Sequence, residues 1–322
     1  MTNTKINWEQ LKTNGGTVTE LLAVLSVTER EGVKGPYVSA QYSDGETSFS
    51  ANMFDTTVSD FKKLGIEAGT TVLATVASSG NNYLNIKSIE PKSSPELSEA
   101  LAKKAPVDAE SAFNEICDII KRNDCVSGMT EIALGLLEEN KADFIRSSAA
   151  CDYHHDELHG LVYHTLRMVR NAEKTTEVYP DLCKELLVCG AALHDIGKIK
   201  SLKTNDLGGA EMTPDGILRE HSLIGILMIH DFVRSHDSIV VTDDALMALE
   251  HMIASHHGTR EFGAIQIPAL PEAMVLNYLD LMDSRIEMFE TSLKGMQTGQ
   301  LSSYNKGLGT KVYNPHISPY EY

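Results

Sequence analysis

The period of the hydrophobic pattern changes once along this chain, and that change constrains the fold more than any other feature. From Val18 to about Glu90, apolar residues come in short runs and alternations broken by turn residues, the pattern of strands. "TVTELLAVLSVTE" supplies one run. "GPYVSAQYSDGETSFSANMF" reads as a hairpin turning at Ser43-Asp44-Gly45-Glu46, and "AGTTVLATVASSGNNYLNIKSIEP" as another turning at Gly80-Asn81-Asn82. Asp-Gly is what a tight hairpin connection asks for. Between the hairpins, "VSDFKKLGI" predicts a short helix. Four to five strands with one helix predict a small antiparallel barrel, for which the OB-fold is the commonest answer with that order.

"PKSSPELSEALAKKAP" (Pro91 to Pro106) mixes proline and serine with helix formers and reads as a linker;. Beyond it, apolar residues recur at intervals of three and four in segments such as "AESAFNEICDIIKRN", "LHGLVYHTLRMVRNAEKT", "EHSLIGILMIHDFVRS" and "PEAMVLNYLDLMDSRIEMFETSL". That spacing predicts helices almost throughout. The stretch from Gly295 reads as an irregular tail.

Charge narrows the partners. The net charge is −17, of which residues 1–98 carry −3 and the remainder −14. Long-range attraction to polyanions is weak or repulsive overall, so a nucleic acid partner would need a local site. The five cysteines, Cys117, Cys125, Cys151, Cys183 and Cys189, are scattered and odd in number. They predict reduced thiols in a cytoplasmic protein. No apolar run approaches a membrane span, and the start shows no secretory signal;.

The chemistry gathers in the helical half. His-Asp pairs occur at His155-Asp156, His194-Asp195, His230-Asp231 and His236-Asp237, so the pair alone decides nothing. In "AALHDIGKIK" the doublet His194-Asp195 ends an apolar helix, and Lys198 lies just beyond. His164 shares a helical face with Leu161 and Met168, His221 begins a helix, and His256-His257-Gly258 ends another. Asp280 and Asp283 stand three apart on one face with Leu276 and Glu287;. One inward histidine is ordinarily a hydrogen-bonded core residue. Six or more such groups from five helices are hard to satisfy without a cation, because buried charges are paired or bind metal. Imidazole with carboxylate suits Zn, Fe, Mn or Ni, and a carboxylate-rich pair of sites also admits Mg.

The order His164, His194-Asp195, His221, His256-His257, Asp280 resembles the HD-domain superfamily of metal-dependent phosphohydrolases. "YHHDELHGLVYHTLRMV" and "ASHHGTREFG" narrow the likeness. With an OB-like segment in front, the chain is similar to YhaM-type 3′-5′ exoribonucleases over roughly residues 18–300. It departs from the family pattern at His159, at Tyr163 and in "AIQIPALPEA", none of which removes a ligand.

The resemblance implies a multidomain chain, with an N-terminal all-β OB-like barrel followed by an all-α HD domain. The expected boundaries are 1–92 for the nucleic-acid-binding barrel and 93–145 for a linker and leading helices. The HD domain is expected over 146–300 and the tail over 301–322. The resemblance also implies two divalent cations, with His164, His194, Asp195 and Asp280 as ligands and His221 and His256 completing a second site. Asp195 would bridge. His257 is expected as a further ligand or a phosphate contact. Asp283 and His251 are expected behind the ligands or in the core, and His230, His236 and His316 elsewhere. His154 and His155 are candidates for the entrance. Asp195 and Lys198 are the expected catalytic residues, with Lys198 and then Arg260 neutralising a phosphate.

The implied reaction is metal-dependent phosphodiester hydrolysis, trimming single-stranded RNA or short DNA from its 3′ end to nucleoside 5′-monophosphates. Tyr37, Phe49 and Tyr83 are the candidate base-stacking aromatics of the barrel. The alternatives are an HD nucleotidase or cyclic-nucleotide phosphodiesterase and, in another class, a non-catalytic nucleic-acid-binding module. No membrane partner is expected. Homo-oligomers are common in families of this kind, and no heptad or apolar stripe in the sequence tells how one would form.

Overall fold

A computed structural model describes residues 6–33, 35–45, 47–92, 94–150 and 157–315. Glu46, Cys151, the His154–Asp156 segment and His316, all named above, lie outside the described residues. The chain divides into two compact units, Met1–Lys104 with Thr204–Gly209, and Ala105–Lys203 with Ala210–Tyr322. No described helix is long and apolar enough to cross a membrane.

In the first unit, helix α1 (Trp8–Asn14) precedes strands β1 (Gly16–Gly32), β2 (Gly35–Ser43) and β3 (Ser48–Phe54). Helix α2 (Val58–Lys63), strands β4 (Thr71–Ser78) and β5 (Asn85–Pro91), and helix α3 (Pro95–Leu101) follow. The strands close a barrel in the order β1-β2-β3-β5-β4. β1 is long because it serves two neighbours: residues 16–23 pair with β4 and residues 23–32 with β2. A register shift between Val24 and Ser26 lets it bend from one to the other;. Closure comes where β3 meets β5 in parallel at Asn52 and Asn85.

Alternation along these strands decides what fills the barrel. Val38, Ala40 and Tyr42 of β2, with Phe49 and Ala51 of β3, point inward. Phe61 of α2 and Trp8 of α1 join this core. Trp8 stacks on Phe49 with centroids 4.0 Å apart, and its indole donates to Asp44 at 2.7 Å. Phe49 is only 5% exposed. The expectation that it offers a face to a base is therefore corrected: its ring is occupied by the core.

The second unit holds α4 (Ala109–Arg122), α5 (Met129–Glu139), α6 (Lys141–Arg146), α7 (Gly160–Val178), α8 (Lys184–Leu193) and α9 (Lys198–Ser201). Two short strands, β6 (Leu202–Thr204) and β7 (Ala210–Met212), precede α10 (Pro214–Ser235) and α11 (Asp243–Ser255). A 3₁₀ turn (Arg260–Phe262) then leads to α12 (Pro271–Leu293). α8 is buried from Glu185 to Leu193 because its sequence carries one charge there. That charge is satisfied: Glu185 accepts from the backbone of Cys125 and from the backbone and hydroxyl of Thr130.

Residues 105–145, set apart in the sequence as linker and leading helices, share one hydrophobic core with the helices that follow, through Phe113, Ile116, Leu136 and Phe144. As far as it is described, to residue 315, the tail is not irregular. β8 (Leu301–Asn305) and β9 (Thr310–Tyr313) form a two-stranded sheet, with Val312 buried and Asn305 donating to Ser292 of α12 at 3.0 Å. Its strands are mostly polar, so no apolar alternation announced it. α12 also leaves Tyr278, Met282, Ile286 and Phe289 exposed, an apolar side that the sequence pattern had not separated from the buried one.

Candidate metal centre and cleft

α8 ends in a turn that carries the doublet into the middle of the helical unit. Gly197 makes this possible, since a Cβ there would lie 2.0 Å from the carbonyl oxygen of His221. α10 is broken at Glu220, whose φ of 68° and ψ of 153° are non-helical, so that His221 turns toward the doublet. α7 brings His164, the end of α11 brings His256 and His257, and α12 brings Asp280 and Asp283.

These side chains converge. His164 Nε2 lies 3.1 Å from His194 Nε2 and 3.3 Å from Asp280. His221 Nε2 lies 3.3 Å from His256 Nε2. Asp195 sits between the pairs with one oxygen for each. Its Oδ2 is 3.3 Å from His194 and 3.7 Å from His164, and its Oδ1 is 3.3 Å from His221 and 3.8 Å from His256. Two groups of donors, His164-His194-Asp195 and His221-His256-His257, are compact enough to hold a metal ion.

The opposite side of each imidazole is fixed. His194 Nδ1 faces the Ala191 carbonyl at 2.9 Å, and His256 Nδ1 faces that of Ile253 at 2.7 Å. His164 Nδ1 meets Asp283 at 2.8 Å, and His221 Nδ1 meets Glu220. Acceptors on Nδ1 assign the proton there, so each neutral ring turns its Nε2 lone pair inward. Facing lone pairs repel unless a cation or proton lies between them. His257 adds a buried Nδ1 with no hydrogen-bond partner. The donor set fits divalent cations on these grounds.

Electrostatics follow from the same contacts. Burial opposes a charge on His164, but hydrogen bonds to Asp280 and Asp283 outweigh it and raise its pKa to about 10. A proton is therefore the competitor for that position. His256 is pushed down by burial first and by His257 and His194 next. Burial opposes the charge on Glu220 too, and the hydrogen bond from His221 nonetheless brings its pKa to about 2. Asp195 is buried, which disfavours its charge, but Lys198 and His194 hold its pKa well below the usual carboxylate range. The Lys198 ammonium lies 2.7 Å from Asp195 Oδ2.

A cleft of about 410 Å³ opens over this cluster, lined at one end by Asp195, Lys198, His257 and Asp280. Arg260 is not among its lining residues; it is exposed and donates to Gln266 at 3.1 Å. His251 accepts from the Ala269 backbone, and His230 and His236 form pairs with Glu250 and Glu139. Glu220 and Asn277 were missed from the sequence. Asn277 donates to the His256 carbonyl at 2.7 Å. Only the side-by-side Glu220-His221 carried any hint. In the first unit, a separate cleft of about 370 Å³ on the barrel's outer face is lined by Tyr37, Tyr83, Arg30, Lys12 and Asn52 among others.

Residues 161–285 match the HD domain family model. With the buried His/Asp cluster inside that span, the helical unit is that of an HD-domain hydrolase. A protein named 3′-5′ exoribonuclease YhaM from Listeria welshimeri is 29% identical over 94% of this chain and 96% of its own length. The protein of that name from Shouchella clausii is 30% identical over 75% of this chain and 76% of its own. That from Bacillus subtilis is 26% identical over 89% and 90%. The chain belongs to this YhaM family.

Proposed function

We propose that this protein is a metal-dependent phosphodiesterase that trims single-stranded RNA, or short DNA, from the 3′ end and releases nucleoside 5′-monophosphates. The observation that carries the reading is the inward convergence of four imidazole Nε2 atoms in two pairs, 3.1 and 3.3 Å apart, with one carboxylate addressing both. The names of the relatives supply the substrate class.

His164, His194, Asp195 and Asp280 would hold one divalent cation, and His221, His256, His257 and Asp195 a second. When bound, such ions acidify a water from about 15.7 toward roughly 7 and offset charge developing on the phosphate. The chain's own residues do the rest. The Nδ1 acceptors keep each ring in one tautomer and one orientation, so the ligand atoms need no rearrangement. Lys198 reaches the cleft with its charge partly balanced by Asp195, placing it to meet a phosphate oxygen as a point charge. Asp280, 22% exposed at its side chain, lines the cleft and would face a bound substrate.

The barrel is read as an OB-fold, since it closes in the order β1-β2-β3-β5-β4 with a helix between β3 and β4. Its outer cleft would hold single strands, with Tyr37 and Tyr83 for bases and Arg30 for phosphate;. The described cysteines are all unpaired, which agrees with a cytoplasmic setting.

The test incubates the protein with Mn²⁺ and a 5′-labelled RNA oligomer, beside a panel of free nucleotides. A ladder of one-nucleotide steps with 5′-monophosphate products is expected. Turnover of free nucleotides alone would replace the reading with a nucleotidase. Asp195→Ala is expected to lower the rate by at least ~1,000-fold, since it removes a ligand shared by both ions.

A further inference from the structure

The far end of the active-site cleft is built differently from its metal end. From Asp280 the lining continues along α12 through Leu281, Ser284, Arg285 and Met288, one broad side of the helix in steps of one and three residues. Arg285 is exposed and, among the described residues, has no carboxylate partner. Arg122, Arg167, Arg170 and Arg219 are tied up in ion pairs, whereas Arg285 lines the cleft with its charge available. It lies five residues beyond Asp280, about 7.5 Å further along the helix axis, at a different level of the same cleft.

Phe262 lines the same cleft and is 72% exposed. The turn that carries it is fixed by backbone bonds from Phe262 and Ala264 to Thr259 and from Thr259 to His257, at 2.9 to 3.1 Å. The turn presses on the metal centre, because a Cβ on Gly263 would lie 3.2 Å from His257 Nδ1. The backbone of a turn packed near His257 is thus fixed, and the aromatic ring it carries lines the cleft exposed to solvent. Asp195 lies between the His256 side and the Asp280 side of the cluster. A phosphate bound there would have Phe262 on one flank and Arg285 on the other.

We propose that this cleft fixes the polarity of the strand: Phe262 stacks on the base of the 3′-terminal nucleotide, and Arg285 holds the phosphodiester one unit upstream of the scissile bond. The inference rests on the exonuclease reading above. The assignment of the two flanks follows from chemistry. Beyond the scissile phosphate, the 3′ end offers a base and no further phosphate; the upstream side offers another phosphate. A cleft of about 410 Å³, near the lower end of the ~300–1,000 Å³ of small-molecule sites, suits one nucleotide and not a run of them.

The test measures KM and kcat for a dinucleotide, a trinucleotide and a trinucleotide with an abasic 3′ terminus, on the full chain loaded with Mn²⁺. A dinucleotide lacks the upstream phosphate. The wild-type protein is expected to bind the trinucleotide with a KM about 10-fold lower, as a charged hydrogen bond provides. In Arg285→Ala that ratio collapses to about one, and Arg285→Lys restores part of it. Phe262→Ala is expected to raise the trinucleotide KM about 10-fold, as the abasic terminus does for the wild type, and the two changes together do no more than either alone. Phe262→Trp restores the difference. Equal wild-type KM values for the two lengths, or additive effects of Phe262→Ala and the abasic terminus, would overturn the proposal while leaving exonuclease action standing. If the wild type releases no 5′-monophosphate from any oligonucleotide, the exonuclease reading fails and takes this one with it.

Discussion

At Glu220 a non-glycine residue sits at φ 68° and ψ 153°, a region that costs roughly 1–3 kcal/mol for anything but glycine. The cost is local to the site: the break aims His221 inward, and the Glu220 carboxylate holds Nδ1 of that ring. Glu220→Gly is therefore expected to separate two quantities. Chelated protein should gain about 1 kcal/mol of unfolding free energy from relieved strain, whereas Mn²⁺ affinity should fall about 10- to 100-fold because His221 loses its orienting partner. Denaturant titration with EDTA and Mn²⁺ titration by calorimetry read the two separately; a Glu220→Gly protein with undiminished affinity would show that the carboxylate does not orient the ring. At this scale the sequence was only partly informative. Four His-Asp pairs look alike in it, and what distinguishes His194-Asp195 is the apolar helix behind it and the histidines on other helices. Glu220 was hidden because a broken helix keeps its apolar period.

Among the elements, those with strong period were legible: the two hairpins of the barrel turn where Asp44-Gly45 and Gly80-Asn81-Asn82 place them, and α4, α7, α8, α11 and α12 follow the three-and-four spacing. Weakly patterned pieces were not. α1 is seven residues long and matters through one side chain, Trp8. Phe49 was misplaced because alternation defines two faces of a strand without saying which is inside; Trp8 decides it. α4 and α7 are joined by Arg122 and Glu173, both guanidinium contacts at 2.6 Å. The hydrogen bond from Arg122 is the main cause that lowers the Glu173 pKa to about 2 from an ordinary 4.5. A depressed carboxylate contributes stability above its unfolded pKa and loses it as pH falls through the folded value. The stability gap between wild type and Glu173→Gln should thus be present at pH 7, shrink below about pH 4.5 and vanish near pH 2. Solvent screening keeps it to about 1 kcal/mol or less. Denaturation midpoints across that range check it, and a gap that widened toward acid would contradict it.

For the whole molecule, charge and division of labour matter most. A net charge of −17 gives RNA no long-range pull, so affinity must come from local contacts in each unit. On the proposed reading, the barrel cleft with Tyr37 and Tyr83 and the helical cleft with Lys198, Arg285 and Phe262 would be such places. Tyr83 is 63% exposed. Tyr83→Ala is expected to raise KM about 5- to 100-fold for oligomers of ten or more nucleotides, with a smaller effect on trinucleotides, which offer fewer bases to stack. Steady-state kinetics across substrate lengths measure this, and a length-independent effect would remove the barrel from substrate binding.

The most direct measurement is the metal content of the purified, Mn²⁺-loaded protein beside His194→Ala and His221→Ala variants. The arrangement of facing imidazoles predicts about two ions per wild-type chain, about one in each variant, and none of the RNA trimming once EDTA has stripped the wild type. Full trimming by a chain that holds no ion would contradict it.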